Sequence, residues 1–247
     1  MSTFFISDIH LGLAGRQEEK EKENRLLSFL ASILPSTTQL FILGDLFDFW
    51  FEYRTVIPKG FHRTLAAIQE FTDAGVPVHY LTGNHDFWMK DFFVGELGVT
   101  LHREPFEIIV DGKRVFLHHG DGLAQKDLGY RMIKPILRNP VSVWMYRWLH
   151  PDIGVPLARG SSRKSRRHTG QKEYGEEDGM LQFAARKIGE GVDVVVMGHR
   201  HKPVTVPLSQ GLYVNLGDWI AWNSYAVLQN GVMELMTWNG KLEPTRA

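Results

Sequence analysis

The chain has 247 residues, 43% of them hydrophobic and 23% charged, which fits one globular domain with a sizeable core and excludes a disordered chain. Its 28 basic and 28 acidic residues balance, so no global positive field marks a nucleic-acid binder, and none is expected as a partner. With no cysteine, disulfides and thiolate metal sites are excluded, and any metal must sit on His, Asp, Glu or Asn.

In chain order, Thr3–Ser7 predicts a buried strand. Glu18–Leu34 predicts a helix, with Leu26, Leu27, Leu30, Ile33 and Leu34 on one face behind a charged start. Gln39–Leu43 predicts the second strand. Phe61–Ala74 repeats Leu65, Ile68 and Phe71 at helical period, with Gly75 as its C-cap. Val76–Thr82, Val115–His118 and Val192–Met197 predict three further strands, and alternation of strand and helix predicts βαβ connections. Phe106–Val110, Leu212–Leu216, Ser224–Gln229 and Val232–Trp238 predict a second, more antiparallel sheet, with turn pairs such as Asn230-Gly231 between the last of them. The expected class is α/β: a four-layer α/β/β/α sandwich forming a single domain over 1–247.

Residues of about 125–187 break the strand series. They are helix-rich and aromatic (Tyr130, Trp144, Tyr146, Trp148) and predict an inserted helical cap. Within them Arg159, Arg163, Lys164, Arg166, Arg167, His168 and Lys172 form a basic run without an acid. The N-terminus has no basic n-region and no long apolar run, and no window reaches about 18 apolar residues. A cytoplasmic chain without a membrane span is the expectation.

Five motifs fall at the C-terminal ends of predicted strands, the edge at which open α/β sheets bind ligands. Asp8-Ile9-His10 pairs a carboxylate with an imidazole, and on an extended backbone both would point one way. In Gly44-Asp45-Leu46-Phe47-Asp48 the glycine permits a sharp turn, and a cap on a following helix is the plainer alternative for its acids. Gly83-Asn84-His85-Asp86 offers an amide oxygen and a histidine, or a plain turn. His118-His119-Gly120-Asp121 offers one ligand and one core histidine, with His119, nearer the loop, as the expected ligand. Gly198-His199-Arg200-His201 is a two-histidine metal signal.

Taken together, D-x-H, G-D-x-x-D, G-N-H-D, H-G-D and G-H-x-H in this order resemble the calcineurin-like metallophosphoesterases. That resemblance implies two divalent metal ions, one held by Asp8, His10, Asp45 and His201, the other by Asp45, Asn84, His119 and His199. Asp45 would bridge them, and a two-metal-activated water would hydrolyse a phosphoester. His85 would act as general acid or charge stabiliser, with Asp48 or Asp86 orienting it. Manganese is the expected ion, and the donor set also suits iron or zinc. A scaffold that had kept only the fold would be expected to have lost ligands, and all seven stand.

Flanking residues resemble more narrowly the UDP-2,3-diacylglucosamine pyrophosphatase family of lipid A biosynthesis. They are Gly44 to Trp50, His119 to Leu123, Asp127, Tyr130, Arg138-Asn139-Pro140 and Leu216-Gly217-Asp218-Trp219. This implies hydrolysis of a lipidated sugar nucleotide to UMP and 2,3-diacylglucosamine 1-phosphate. Substrate contacts are then expected from Asn84, His85, Asp127, Tyr130, Ser165, Thr169, Lys172 and His199, with Thr169 standing where the S-x3-N-x2-K pattern has Asn. The enzyme would dock on the cytoplasmic face of the inner membrane, with no obligate protein partner evident. His85 stands where the best-known lipid A enzymes carry arginine. The alternative is a metallophosphoesterase of the same fold acting on another phosphomonoester or phosphodiester.

Overall fold

The computed structural model describes residues 1–123, 128–158, 160 and 179–241, the side chains of 128–131 and 133 excepted. Two sheets form the centre. The first runs β11 (Val232–Thr237), β10 (Ser224–Gln229), β1 (Ser2–Ile6), β2 (Thr37–Ile42), β3 (Val78–Leu81), β4 (Thr100–His102). The second runs β5 (Phe106–Val110), β6 (Lys113–His118), β7 (Val194–Met197), β9 (Gly211–Asn215), β8 (Val204–Leu208). Strands β1 to β4 are mutually parallel, as are β6, β7 and β9. The hairpin β10–β11 and the edge strands β5 and β8 run antiparallel to their neighbours.

Side-chain alternation builds the layers. Phe5, Phe41, Val115, Leu117, Val194, Val196 and Val214 fill the space between the sheets. Their neighbours Phe4, Ile6, Leu40 and Ile42 turn outward onto helices α1 (Arg16–Ile33) and α2 (His62–Asp73). On the far side Phe116, Val195, Met197 and Tyr213 meet Met180, Ala184 and Ile188 of helix α6 (Gly179–Gly189). The order is therefore helix, sheet, sheet, helix. Each fully buried ring or branched chain contributes about 1.5–3 kcal/mol.

The partition of strands differs from the expectation. Ser224–Gln229 and Val232–Thr237 belong to the first sheet, against β1 in the register Thr3↔Leu228, while Val115–His118 and Val194–Met197 belong to the second. Both faces of β10 are apolar. Ala226 and Leu228 enter the inter-sheet layer, and Tyr225 packs under α1 with its ring 4.7 Å from Phe29. A strand buried on both faces reads as a central strand, a property that outweighs its hairpin turn. Strands β4 and β8 are not anticipated from the sequence, and Gly179–Gly189 belongs to the outer layer although most of it falls inside the span of about 125–187 expected for the cap.

The described insertion comprises α4 (Leu128–Arg138), α5 (Pro140–Arg147) and a helical stretch at 151–158. Short helix α3 (Phe92–Gly95) follows the loop after β3.

At the open margin between the sheets, His79 Nδ1 lies 3.1 Å from His102 Nε2, and His102 stacks on Phe106. Burial lowers the pKa of His79 below 6.5; burial, then the charge of His79, lowers that of His102. Neutral rings are thus favoured in the folded state. Their contribution to stability is full above the ordinary value of 6.5 and is lost as the pH falls from there through the lowered folded-state values. Urea unfolding at successive pH values is expected to show this loss, and His79→Phe, which keeps a ring against Phe41, is expected to reduce it.

Candidate metal centre

All five motif loops leave parallel strands at one edge of the sandwich. The D-x-H loop does not work by strand alternation. Strand β1 ends at Ile6, and Asp8 and His10 take left-handed conformations, φ 55° and 49°. Asp45 (φ 54°), His199 (66°) and His201 (57°) do the same. Such conformations cost non-glycine residues about 1–2 kcal/mol each and persist only where their surroundings over-determine them. Here the loops hold one another. Asp8 N–H donates to Gly44 O at 3.1 Å and His10 N–H to Asp45 O at 2.9 Å. The His199 N–H donates to Asp8 Oδ2 at 2.8 Å. Two motif glycines make this approach possible: a Cβ on Gly83 would run into Asp45 Oδ1, and one on Gly198 into Asp8 Oδ2. No helix follows Asp45 or Asp48 until His62, so neither acid is a helix cap.

Donor atoms converge in three adjoining groups, two of them built from the expected ligands and a third, His10 with Asp48 and His85, sharing His10 with the first. In the first, His10 Nε2 lies 3.3 Å from His201 Nε2, and Asp8 Oδ1 is 3.7 Å from His10 Nε2 and 3.5 Å from His201 Nε2. In the second, Asp45 Oδ2 and Asn84 Oδ1 lie 3.2 and 3.0 Å from His119 Nε2, with His199 completing the cluster. Asp45 Oδ2 is also 3.7 Å from His10 Nε2, so one carboxylate stands between the groups.

The arrangement fits cations. Asp8 Oδ1 is buried without a hydrogen-bond partner. His119 Nδ1–H donates to Leu43 O at 2.7 Å, so in the neutral ring Nε2 turns its lone pair toward two oxygen acceptors. Such a set repels itself unless a cation lies among its atoms. His201 Nδ1 is likewise held by Asp218 Oδ2 at 3.1 Å, and His10 Nδ1 faces Asp48 Oδ1 at 3.6 Å. A metal-binding histidine is commonly oriented in this way through its other nitrogen. Without a metal, protons serve as the cations. Burial would lower His119 and His10, but Asp45 raises His119 to about 10, and Asp48 with Asp8 raises His10 to about 9. Burial would raise Asp8, yet its contacts with His10 and His201 hold it at about 2.

His85 Nδ1–H donates to the Asp48 backbone carbonyl at 3.1 Å, which leaves Nε2 facing the centre 4.0 Å from Asp45 Oδ2. Asp48 therefore orients His85 through its backbone, and its carboxylate also lies beside His10. Asp86 has a different role from the one expected. Its carboxylate accepts Leu46 N–H at 2.9 Å, Gly83 N–H at 2.8 Å and the Tyr80 hydroxyl at 2.5 Å, tying the loops after β2 and β3 together. Burial, then the charge of Asp45, raises it to about 6. His118 faces away, its ring 5.6 Å from Phe183, with Nδ1 accepting Gly120 N–H.

Further residues support the centre without being ligands themselves. Asp218 holds His201 with one oxygen and the N–H groups of Ile220, Ala221 and Trp222 with the other, while Trp219 N–H donates to Asp8 O. Leu216-Gly217-Asp218-Trp219 is thus part of the centre's frame. Buried Asp121 receives Lys134 Nζ at 2.7 Å and Arg138 at 3.5 Å, and Trp88 Nε1–H donates to Leu137 O. These contacts fasten α4 to two of the motif loops. Asp127, Ser165, Thr169, Lys172 and the side chain of Tyr130 lie outside the described residues.

The calcineurin-like phosphoesterase family model matches residues 1–203. The chain is 36% identical over 242 residues to UDP-2,3-diacylglucosamine hydrolase of Porphyromonas gingivalis, covering 91% of this chain and 92% of that one. The proteins of the same name from Pseudomonas aeruginosa and Azotobacter vinelandii are each 33% identical over 225 residues, covering 89% of this chain and 91% of theirs.

Proposed function

This chain belongs to the calcineurin-like phosphoesterase family, and on that premise we propose that it hydrolyses the pyrophosphate of UDP-2,3-diacylglucosamine to UMP and 2,3-diacylglucosamine 1-phosphate. The observation that carries the hydrolytic reading is the convergence of Asp8, His10, Asp45, Asn84, His119, His199 and His201 from five loops onto two adjoining points. The substrate reading is supported by relatives of that name aligned over about nine-tenths of both chains.

Asp8, His10, Asp45 and His201 would hold one divalent ion, and Asp45, Asn84, His119 and His199 the other, with manganese the proposed metal. Bound there, two such ions neutralise phosphoryl oxygens and acidify water. The chain's own groups do the rest. Asp48 O fixes the His85 tautomer, so Nε2 is the atom that faces a leaving phosphate oxygen and donates to it when protonated. Asp86, Gly83 and Gly198 keep the loops close enough for the donors to meet.

The described insertion would serve as the cap and the membrane contact. Helix α4 turns Lys134 and Arg138 inward to Asp121 and leaves Ile136 exposed. Beyond it Trp144, Met145, Trp148, Ile153 and Leu157 are exposed. Such an apolar surface suits the interface of a leaflet that supplies a diacylated substrate. No described helix is long and apolar enough to cross a membrane, so the proposed association is peripheral, on the cytoplasmic face. Sedimentation with anionic phospholipid vesicles is expected to carry the protein down, and a Trp144→Ser/Trp148→Ser variant to remain in the supernatant while still cleaving a soluble aryl phosphodiester. Equal sedimentation of both proteins would remove the docking surface.

The substrate test is direct. With manganese and the UDP-lipid, release of UMP is expected. Rapid cleavage of aryl phosphodiesters with no UMP from the lipid would instead favour another phosphoester.

A further inference from the structure

Lys22 lies on α1 with its side chain 5% exposed, an uncommon position for an ammonium. Its Nζ donates to the backbone carbonyl of His10 at 2.6 Å and stands 3.3 Å from Glu19 Oε1. The other Glu19 oxygen, Oε2, accepts Ala14 N–H at 2.9 Å. One i,i+3 pair on α1 therefore pins both ends of the turn from His10 to Ala14. Its first residue is one of the left-handed donors, φ 49°. Helix α1 is a firm base for this, because Leu26, Phe29, Leu30 and Ile33 are buried against the first sheet.

From these contacts we propose that Lys22, neutralised by Glu19, is a positioning residue for the cation site of Asp8, His10 and His201. The left-handed turn takes the His10 carbonyl out of strand pairing and buries it. There it accepts Leu13 N–H at 3.3 Å and the ammonium at 2.6 Å, and the shorter bond from the charged donor is the stronger of the two. Unpaired, an ammonium so close to a dication would repel it. Paired with Glu19, it fixes the His10 backbone, and hence the direction of Nε2, with little net field at the site. The contacts of Lys22 and Glu19 given above lie within the pair or go to the turn that carries His10, while Asp45, Asn84, His119 and His199 stand on other loops.

This rests on reading the two groups as a metal pair, and the test separates the two ideas. Titrate the metal-free chain calorimetrically with Mn²⁺ alone, and identify the step belonging to the first group as the one lost in His201→Ala. Lys22→Met is expected to weaken that step about tenfold or more, to leave the other within about twofold, and Lys22→Arg to restore most of the loss. Should Lys22→Met fold poorly through the unpaired Glu19, Glu19→Gln/Lys22→Met removes both charges and is expected to show the same selective loss. Unchanged affinity at both steps, or equal weakening of both together with a lower melting temperature, overturns the proposal. A wild-type chain that takes up no Mn²⁺ overturns the metal reading itself.

Discussion

Asp45→Ala is expected to lower kcat for the UDP-lipid by about a thousandfold or more, which corresponds to about 4 kcal/mol of transition-state stabilisation. The size follows from its position. Asp45 Oδ2 lies 3.2 Å from His119 Nε2 and 3.7 Å from His10 Nε2, so one substitution removes a donor from both groups. It also removes the anion that would hold two dications together. Metal analysis after dialysis against Mn²⁺ is expected to fall from two ions per chain toward one or none. The Oδ1 atom accepts the His85 N–H at 2.9 Å, so alanine also leaves a buried donor open, at about 1–3 kcal/mol. Asp45→Asn keeps an oxygen for that bond and separates the two effects. It is expected to fold better than the alanine variant and still to lose activity. Full metal content and near-normal kcat in Asp45→Asn would contradict the bridging role.

Substitution of His85 should have a different signature. His85→Ala is expected to reduce kcat by about 10²–10⁴, the range for loss of a positioned acid or base, while both metal ions are retained. The ring nitrogen nearest the centre is 4.0 Å from Asp45 Oδ2, too far for a hydrogen bond, and its partner nitrogen is held by a carbonyl. His85 meets His10 and Asp48 in a further group of donor atoms, outside the two ligand sets as assigned. KM is expected to change little, because a group that acts on the leaving oxygen contributes mainly in the transition state. Steady-state kinetics alongside metal analysis decides the matter. If metal content falls in step with kcat, His85 is a ligand and its role as acid is lost.

Much of this centre was legible in the chain because short motifs at strand ends are local. Strands β1, β2, β3, β6 and β7 each bring their loop to one edge, and the apolar runs that mark them lie close to the observed spans. The helix predicted over Glu18–Leu34 is observed over Arg16–Ile33, and Gly75 ends α2 with φ +78° as a C-cap glycine should. What the sequence hides is pairing at long range. Strand β10 joins β1 across more than two hundred residues, and its two apolar faces, not its hairpin turn, decide that place. The left-handed backbone of Asp8, His10, His199 and His201 was likewise invisible, since D-x-H and H-x-H look the same on an extended chain. Lys22 carries no motif at all, and Asp218, though inside Leu216-Gly217-Asp218-Trp219, shows nothing in the sequence that ties it to His201. Each is significant only because a loop from elsewhere presents a histidine or its carbonyl to it.

The charge balance of the site also sets how it loads. In a metal-free chain His119 at about 10 and His10 at about 9 would be protonated near neutrality, held so by Asp45, Asp48 and Asp8 against the effect of burial. A metal would take the place of those protons, so its apparent affinity is expected to rise with pH toward these values, with protons released on loading.

The central claim is that one carboxylate joins two cations at this edge. Electron paramagnetic resonance of the protein loaded with Mn²⁺ measures that most directly. Two ions per chain with a spin-coupled spectrum, replaced in Asp45→Asn by the hyperfine pattern of isolated Mn²⁺, is the expected result. A wild-type chain that binds a single ion, or two with uncoupled signals, would contradict it.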